Sequence, residues 1–183
     1  MKVSNEILNI IPEIKTLRHE LHAHPDLGYE EKWTSDFVAK KLQSFGLEVH
    51  RGLGGTGVVG ILKGLEANLG GGGNKAIGLR ADMDALPMTE ENNFSYKSKF
   101  EGRMHACGHD VHTSSMLGVC KTLNEIKEIF ALFDKMNRGQ VQTSELGTLV
   151  RALNLNPTET EITEMQNKVD PKNQGSFTLQ VLE

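Results

Sequence analysis

A cluster of metal-binding residue types lies between residues 104 and 112 of the 183-residue chain, in the sequence MHACGHDVH. Cys107 and His109 stand on either side of Gly108. Thiolate and imidazole are ligands that suit zinc and other borderline transition metals. Glycine permits a tight turn, so both side chains can converge on one ion. The spacing therefore predicts a metal site with Cys107 and His109 as ligands, and the alternative is a polar surface loop without a metal.

Two carboxylates precede this cluster, Asp82 and Asp84, in the sequence RADMDALP. They follow the short apolar run Ala76–Ala81, which predicts a strand. Open α/β sheets usually carry their functional residues at the carboxyl ends of strands. A carboxylate at such a position can orient a ligand histidine. Asp84 is thus a candidate supporting residue of the site, but the residues alone favour a solvated strand end for both carboxylates.

Helices and strands must hold these residues in place. Apolar residues at helical spacing predict helices over residues 4–23, 30–45 and 109–127. Two short runs, Leu47–Arg51 and Gly57–Lys63, predict strands, whereas the glycine-rich residues 64–75 predict a flexible loop between strands. This order of elements indicates an α/β sheet with covering helices.

The overall composition excludes several classes of function. A net charge of -4 favours neither nucleic acid nor an anionic membrane as a partner. Apolar runs are too short to span a bilayer, and the first residues lack the pattern of a signal peptide. Two cysteines cannot form a disulfide framework, which is typical of a reducing compartment. We therefore expect a cytoplasmic protein.

The composition changes near residue 124. All seven histidines precede residue 113, and no Cys, Trp or Tyr occurs from Glu125 onward. The change predicts two domains, residues 1–124 and residues 125–183.

A calcium-loop pattern begins at Asp134 and ends twelve residues later at Glu145. An EF-hand loop needs oxygen ligands at positions 1, 3, 5, 7 and 12 and a glycine at position 6. Positions 1, 6, 7 and 12 fit, as Asp134, Gly139, Gln140 and Glu145. Positions 3 and 5 are Met136 and Arg138, which supply no carboxylate. We therefore expect weak or absent calcium binding.

A second loop of the same kind runs from Asp170 to Val181. Asp170 and Gly175 fit the pattern, but Val181 replaces the bidentate Glu, so this loop should not bind calcium. Val141 and Phe177 occupy the apolar position 8 of the two loops, which favours pairing between them. Thr158 and Glu161 form a capping-box pattern that predicts the start of a helix.

Several long motifs of the first segment occur in a familiar order: LRHELHAHPDLGYEE at 17–31, GGTGVVG at 54–60, the stretch 80–88 and the stretch 104–112. Residues 14–123 resemble the opening of M20-family amidohydrolases, in the hippurate, N-acyl-amino-acid and auxin-conjugate hydrolase branch. The resemblance implies part of a catalytic domain with a mixed sheet and bound zinc or manganese. It implies an activated water that attacks the amide bond of an N-acyl amino acid. Cys107 and His109 are then metal ligands, Asp84 supports them, and His19, His22 and His24 are packing or turn residues.

The resemblance also implies that parts of the active site are missing. Family members carry a later Glu pair and later His ligands, but no histidine follows His112 in this chain. We therefore expect weak or no hydrolysis by this chain alone, unless another chain completes the site. A sheet that lacks neighbouring strands would also favour self-association.

Residues 125–183 resemble the EF-hand pair of calmodulin and of related light chains, through the phrases FALFDK at 130–135, ELGT at 145–148 and NPTE at 156–159. The resemblance implies an all-α pair without its last helix that binds an amphipathic target helix. Three hypotheses remain: a metal-dependent amidohydrolase, a partner-binding EF-hand module, and a fused or truncated gene product without joint function.

Overall fold

The computed structural model describes residues 5–64 and 76–179. The described residues form two compact units: the first includes Ile7–Leu62 and Ile77–Thr122, and the second includes residues 123–179. The predicted loop at residues 64–75 lies almost wholly outside the described residues. Within the described ranges, none of the helices is both long enough and apolar enough to cross a membrane.

Three helices contribute to the first unit: α1 (Asn5–Ala23), α2 (Lys32–Ser44) and the first part of α3 (His109–Phe133). All three were predicted from apolar periodicity, although α3 extends beyond the predicted residue 127. Gly118 brings α3 close to α1, because a Cβ atom at this position would lie 2.6 Å from Cδ1 of Ile14. The core of this unit consists of Leu17, Val38, Leu42, Leu47 and Leu117.

An antiparallel hairpin packs against α2. Its strands are β1 (Glu48–Leu53) and β2 (Gly57–Ile61), and Val49 lies opposite Gly60. Gly60 permits the contact with the core, since a Cβ atom there would lie 3.1 Å from methyl groups of Leu42 and Leu47. The first unit thus mixes helices and strands, as predicted.

The predicted strand Ala76–Ala81 is wrong. Residues 76–84 have no regular secondary structure, and Ile77 is 91% exposed. A strand requires backbone partners on a neighbouring strand, and the described part of the chain offers none to these residues. The loop is instead fastened just beyond Asp84 by two isolated bridges, Leu27 with Ala85 and Leu86 with Met104.

The second unit contains two short strands and two complete short helices. Its elements are β3 (Gln140–Gln142), a single 3-10 turn (Thr143–Glu145), α4 (Leu146–Ala152), α5 (Glu159–Val169) and β4 (Ser176–Thr178). The strands pair antiparallel with Val141 opposite Phe177, as their apolar character predicted. Its buried core is formed by Phe130, Val141, Leu146, Leu149, Val150, Phe177 and Leu179.

The predicted capping box at the start of α5 is confirmed. The hydroxyl of Thr158 accepts from the backbone N–H of Glu161, and the Glu161 carboxylate accepts from the backbone N–H of Thr158. The two bonds satisfy donors at the helix start that would otherwise lack partners.

Candidate metal centre

Three metal-binding side chains converge in the first unit: Asp82, His109 and His112. One potential ligand atom from each lies within 4.8 Å of the other two, and no other such group occurs in the described residues. Two imidazoles and one carboxylate form a donor set that fits zinc and other divalent transition metals. Asp82 and His109 are half-buried and His112 is exposed, so an ion could enter from solvent.

The His109 ring is oriented by Asp84. Its Nδ1 lies 2.9 Å from the backbone carbonyl oxygen of Asp84 and 3.0 Å from the carboxylate Oδ1. Both neighbours are acceptors, so Nδ1 carries the proton and donates. The other ring nitrogen, Nε2, is then the one available to a metal ion. The supporting role of Asp84 in a metal site stays a prediction.

Asp82 is held at its backbone and at its side chain. The Thr113 hydroxyl of α3 donates to its backbone oxygen at 2.9 Å. The Arg80 guanidinium donates to its carboxylate Oδ1 at 2.6 Å. Arg80 is an exposed side chain, and exposed ion pairs contribute little stability. The carboxylate can therefore exchange Arg80 for a divalent cation at small cost.

Cys107 lies outside the converging group. Its thiol is free and exposed, and the backbone turns between it and His109 at Gly108, where φ is 85°. The glycine required by a tight turn is thus in place, as the sequence predicted. His109 belongs to both the predicted pair and the observed group.

His112 was not predicted as a site residue. His109 is the first residue of α3, and residues three apart on a helix lie on the same side. The two rings are accordingly neighbours, with centroids 5.4 Å apart. The signal was the combination of a predicted helix start at residue 109 with histidines at spacing i, i+3.

A buried network of hydrogen-bonded polar side chains lies in the same unit and includes Asp110, in the first turn of α3. Asp110 Oδ2 accepts from Nε of Arg18 at 2.9 Å and lies 2.8 Å from Nδ1 of His22. The other ring nitrogen of His22 lies 3.1 Å from Oε1 of Glu90. His22 is buried, as expected of a packing residue, and the network also ties α1 to the start of α3.

His105 is a second buried histidine near this network. It is 5% exposed, and its ring centroid lies 6.3 Å from that of His22. Neither ring nitrogen has a hydrogen-bond partner among the described residues. Burial lowers the pKa of His105, because the charged ring would lose its hydration.

Two aspartates organise the loops of the second unit in the same way. Asp134 accepts backbone N–H bonds from Arg138 and Gly139, at 3.0 and 2.6 Å. Asp170 accepts from Gln174 and Gly175, at 2.8 and 2.7 Å. These bonds satisfy the carboxylates within the loops. Bonds from Gln174 and Gly175, together with the hydroxyl of Thr143, lower the pKa of Asp170.

The remaining residues predicted for the first calcium loop are engaged elsewhere. Glu145 Oε1 accepts from the Lys135 ammonium at 2.6 Å. Gln140 is exposed in β3, where it is paired with Thr178. A lysine of the loop thus supplies the positive charge that neutralises Glu145.

Comparison with known proteins finds similarity to one family of peptidases. Residues 78–137 match the family model described as Peptidase family M20/M25/M40. The chain is 50% identical over 123 residues to a hippurate hydrolase of Campylobacter jejuni, covering 67% of this chain and 30% of that protein. It is 43% identical over 128 residues to an N-acyl-L-amino acid amidohydrolase of Geobacillus stearothermophilus, covering 67% and 33%.

A solved structure gives the same relationship. The YXEP protein of Bacillus subtilis, described as a dinuclear metal binding peptidase from the M20 family, matches with a TM-score of 0.57 and 32% identity. The match covers 67% of this chain and 33% of that one. The N-terminal portion of this chain is therefore similar to M20-family amidohydrolases, and the chain spans about a third of the length of the curated relatives it matches.

Proposed function

We propose that residues 1–124 form the metal-binding part of an M20-type amidohydrolase site that acts on the amide bond of N-acyl amino acids. The convergence of Asp82, His109 and His112 is the observation that carries this proposal. The curated relatives support the substrate class, since they include a hippurate hydrolase and an N-acyl-L-amino acid amidohydrolase. This chain spans about a third of the length of those proteins. Their activity is therefore extended to it only as a proposal.

The residues that would hold the ion are Asp82, His109 through Nε2, and His112, with Cys107 as the further ligand predicted from the sequence. Zinc or manganese bound there would polarise an amide carbonyl or acidify a water. Asp84 keeps the His109 ring in the tautomer that leaves Nε2 free. Thr113 holds the backbone of Asp82 against α3.

We expect this 183-residue chain to be a weak or inactive hydrolase by itself. The family resemblance places a general-base Glu and further His ligands after the region matched here. No histidine follows His112 in the sequence. Without a base to take the proton of the attacking water, the metal alone supplies only part of the rate acceleration.

Hydrolysis of hippurate by the purified chain, with manganese added, tests this part of the proposal. We expect a rate near that of a metal-free control. Substantial hydrolysis that disappears in Cys107→Ala would show that the chain carries a complete site and would overturn the expectation of weakness. Metal binding without hydrolysis supports the proposal as stated.

The second unit carries a second candidate function, a degenerate EF-hand pair that binds an amphipathic partner helix without calcium. The similar hydrogen bonding of its two loops supports this function, because Asp134 and Asp170 each accept N–H bonds from residues four and five positions later. The pairing of Val141 with Phe177 supports it as well. Binding of a basic amphipathic helical peptide that is unchanged by a calcium chelator is the expected result, and chelator-sensitive binding would contradict it.

The third hypothesis, a fused or truncated gene product without joint function, remains a proposal. Sequencing of the transcript across residues 115–130 tests it. Independent transcripts that do not join the two segments at these residues would support the fusion, and one continuous reading frame in all of them would contradict an accidental joining of the segments.

A further inference from the structure

We infer that His22 is a positioning residue for the candidate metal centre, because its two ring nitrogens lie within hydrogen-bond distance of Asp110 and Glu90 and thereby join α1 to the first turn of α3. This inference extends the proposed metal function, since His109 and His112 lie on that turn. A residue of α1 that is far from His109 and His112 in sequence would therefore determine the position of their side chains.

The geometry places His22 between two buried carboxylates. Nδ1 lies 2.8 Å from Asp110 Oδ2, and Nε2 lies 3.1 Å from Glu90 Oε1. The three side chains are between 1% and 3% exposed. The rings of Phe94 and Tyr96 cover the histidine, with centroids 5.7 and 5.8 Å away. Solvent therefore cannot replace either hydrogen bond.

Both carboxylates have further hydrogen-bond partners besides His22. Asp110 Oδ2 also accepts from the Arg18 guanidinium at 2.9 Å. Glu90 accepts from the backbone N–H of Ser98 at 2.6 Å and from the Asn92 amide at 2.9 Å. Burial alone would raise the pKa of Glu90, but these hydrogen bonds and the one from His22 lower it overall.

One imidazole thus links two buried carboxylates, and the Arg18 guanidinium contacts the first of them, Asp110. Removal of one buried hydrogen-bond partner leaves the other group incompletely satisfied. Replacement of His22 would therefore remove one partner from each carboxylate, while Arg18 stays on Asp110, and Ser98 and Asn92 stay on Glu90.

Asp110 transmits this constraint to the ligands. It is the second residue of α3, next to His109 and two residues before His112. A negative side chain in the first turn also interacts favourably with the helix dipole. If Asp110 moves, the backbone that carries both imidazoles moves with it.

Hydrogen bonding of the His22 ring is the first test, and it needs neither a metal ion nor a fully stable variant. We would record side-chain ¹⁵N NMR spectra of the full chain and assign His22 by the loss of its signals in His22→Gln. The expected result is that both ring nitrogen signals differ from those of the chain unfolded in urea, because both nitrogens are hydrogen-bonded. Signals equal to those of the unfolded chain would overturn the inference.

Zinc titration by calorimetry is the second test, with His22→Gln compared with His50→Gln, an exposed histidine of the β1 hairpin. Glutamine can donate to only one carboxylate and presents an oxygen to the other. We expect about a 10- to 100-fold loss of zinc affinity in His22→Gln and no change in the control. Faster amide exchange at residues 109–113 should accompany that loss. Unchanged affinity and exchange in His22→Gln would contradict the inference.

The two tests separate this inference from the proposed function. If the parent chain binds no zinc, the metal proposal fails, while the ring spectrum and the amide exchange still decide the role of His22. If zinc binds but the His22 ring signals match those of the unfolded chain, the metal proposal stands and the positioning role fails.

Discussion

His109 donates from Nδ1 to two oxygens of Asp84, the backbone carbonyl at 2.9 Å and the carboxylate Oδ1 at 3.0 Å. Because both acceptors belong to one residue, the ring is fixed in tautomer and in orientation. The ring then offers Nε2 to the candidate metal centre. The same contact joins the loop before residue 85 to the first residue of α3.

Asp84→Ala should weaken zinc binding by about 10-fold, at the lower end of the effect usual for residues that orient a ligand. The reason is that the variant loses the carboxylate but keeps the backbone acceptor of His109. Calorimetric titration of the full chain measures the change. Asp36→Ala is the matched control, since Asp36 is an exposed aspartate of α2 that pairs with Arg51. An affinity in Asp84→Ala equal to that of the control would refute the orienting role.

His112→Gln and Cys107→Ala test the two ligands that distinguish the observed group from the predicted pair. We expect each variant to lower zinc affinity by about 10-fold or more, because each removes one donor from a small set. His50→Gln serves as control for the loss of a histidine. Unchanged affinity in His112→Gln would exclude His112 as a ligand, and the same result for Cys107→Ala would exclude the thiol.

Calcium binding to the second unit should be absent at micromolar concentrations and should appear in Met136→Asp/Arg138→Asp. The variant supplies the carboxylates that positions 3 and 5 lack, beside Asp134 and Glu145. Calorimetry with calcium measures both proteins. Thr148→Asp/Arg151→Asp on α4 changes the net charge equally and should gain no site. Saturable micromolar binding by the parent chain would show that the lysine contact of Glu145 does not prevent calcium binding.

The stability of the second unit should depend on the charge of Asp170. Its pKa is lowered in the folded chain, so the carboxylate contributes stability above its unfolded pKa and loses that contribution as pH falls through the folded value. Urea unfolding followed by the NMR amide signals of Val141 and Phe177, from neutral to acid pH, measures this loss. Asp170→Asn should flatten this acid dependence, whereas Glu164→Gln, an exposed residue of α5, should not. Equal acid dependence in Asp170→Asn and the parent would contradict the assignment.

Local signals in the sequence predicted the elements that depend on local physics. Apolar periodicity located α1, α2 and the start of α3, and the capping box located the start of α5. Val141 and Phe177 pair because both stand at the apolar position of their loops. These features need only near neighbours along the chain or a repeated pattern.

Features that depend on distant partners were not predictable in the same way. Ala76–Ala81 has the composition of a strand, but no neighbouring strand pairs with it in the described residues, so its composition alone does not make it a strand. The family resemblance implied that His22 is a packing or turn residue, and its side chain is buried. Its partners Asp110 and Glu90, however, are 88 and 68 residues away in sequence, and no spacing rule connects them.

Metal analysis of the purified full chain by mass spectrometry tests the central claim most directly. We predict about one zinc or manganese ion per chain after dialysis, and loss of that metal in His109→Gln, which lacks the imidazole shared by the predicted pair and the observed group. A parent chain that retains no more metal than His109→Gln would contradict the metal centre and the amidohydrolase function proposed from it.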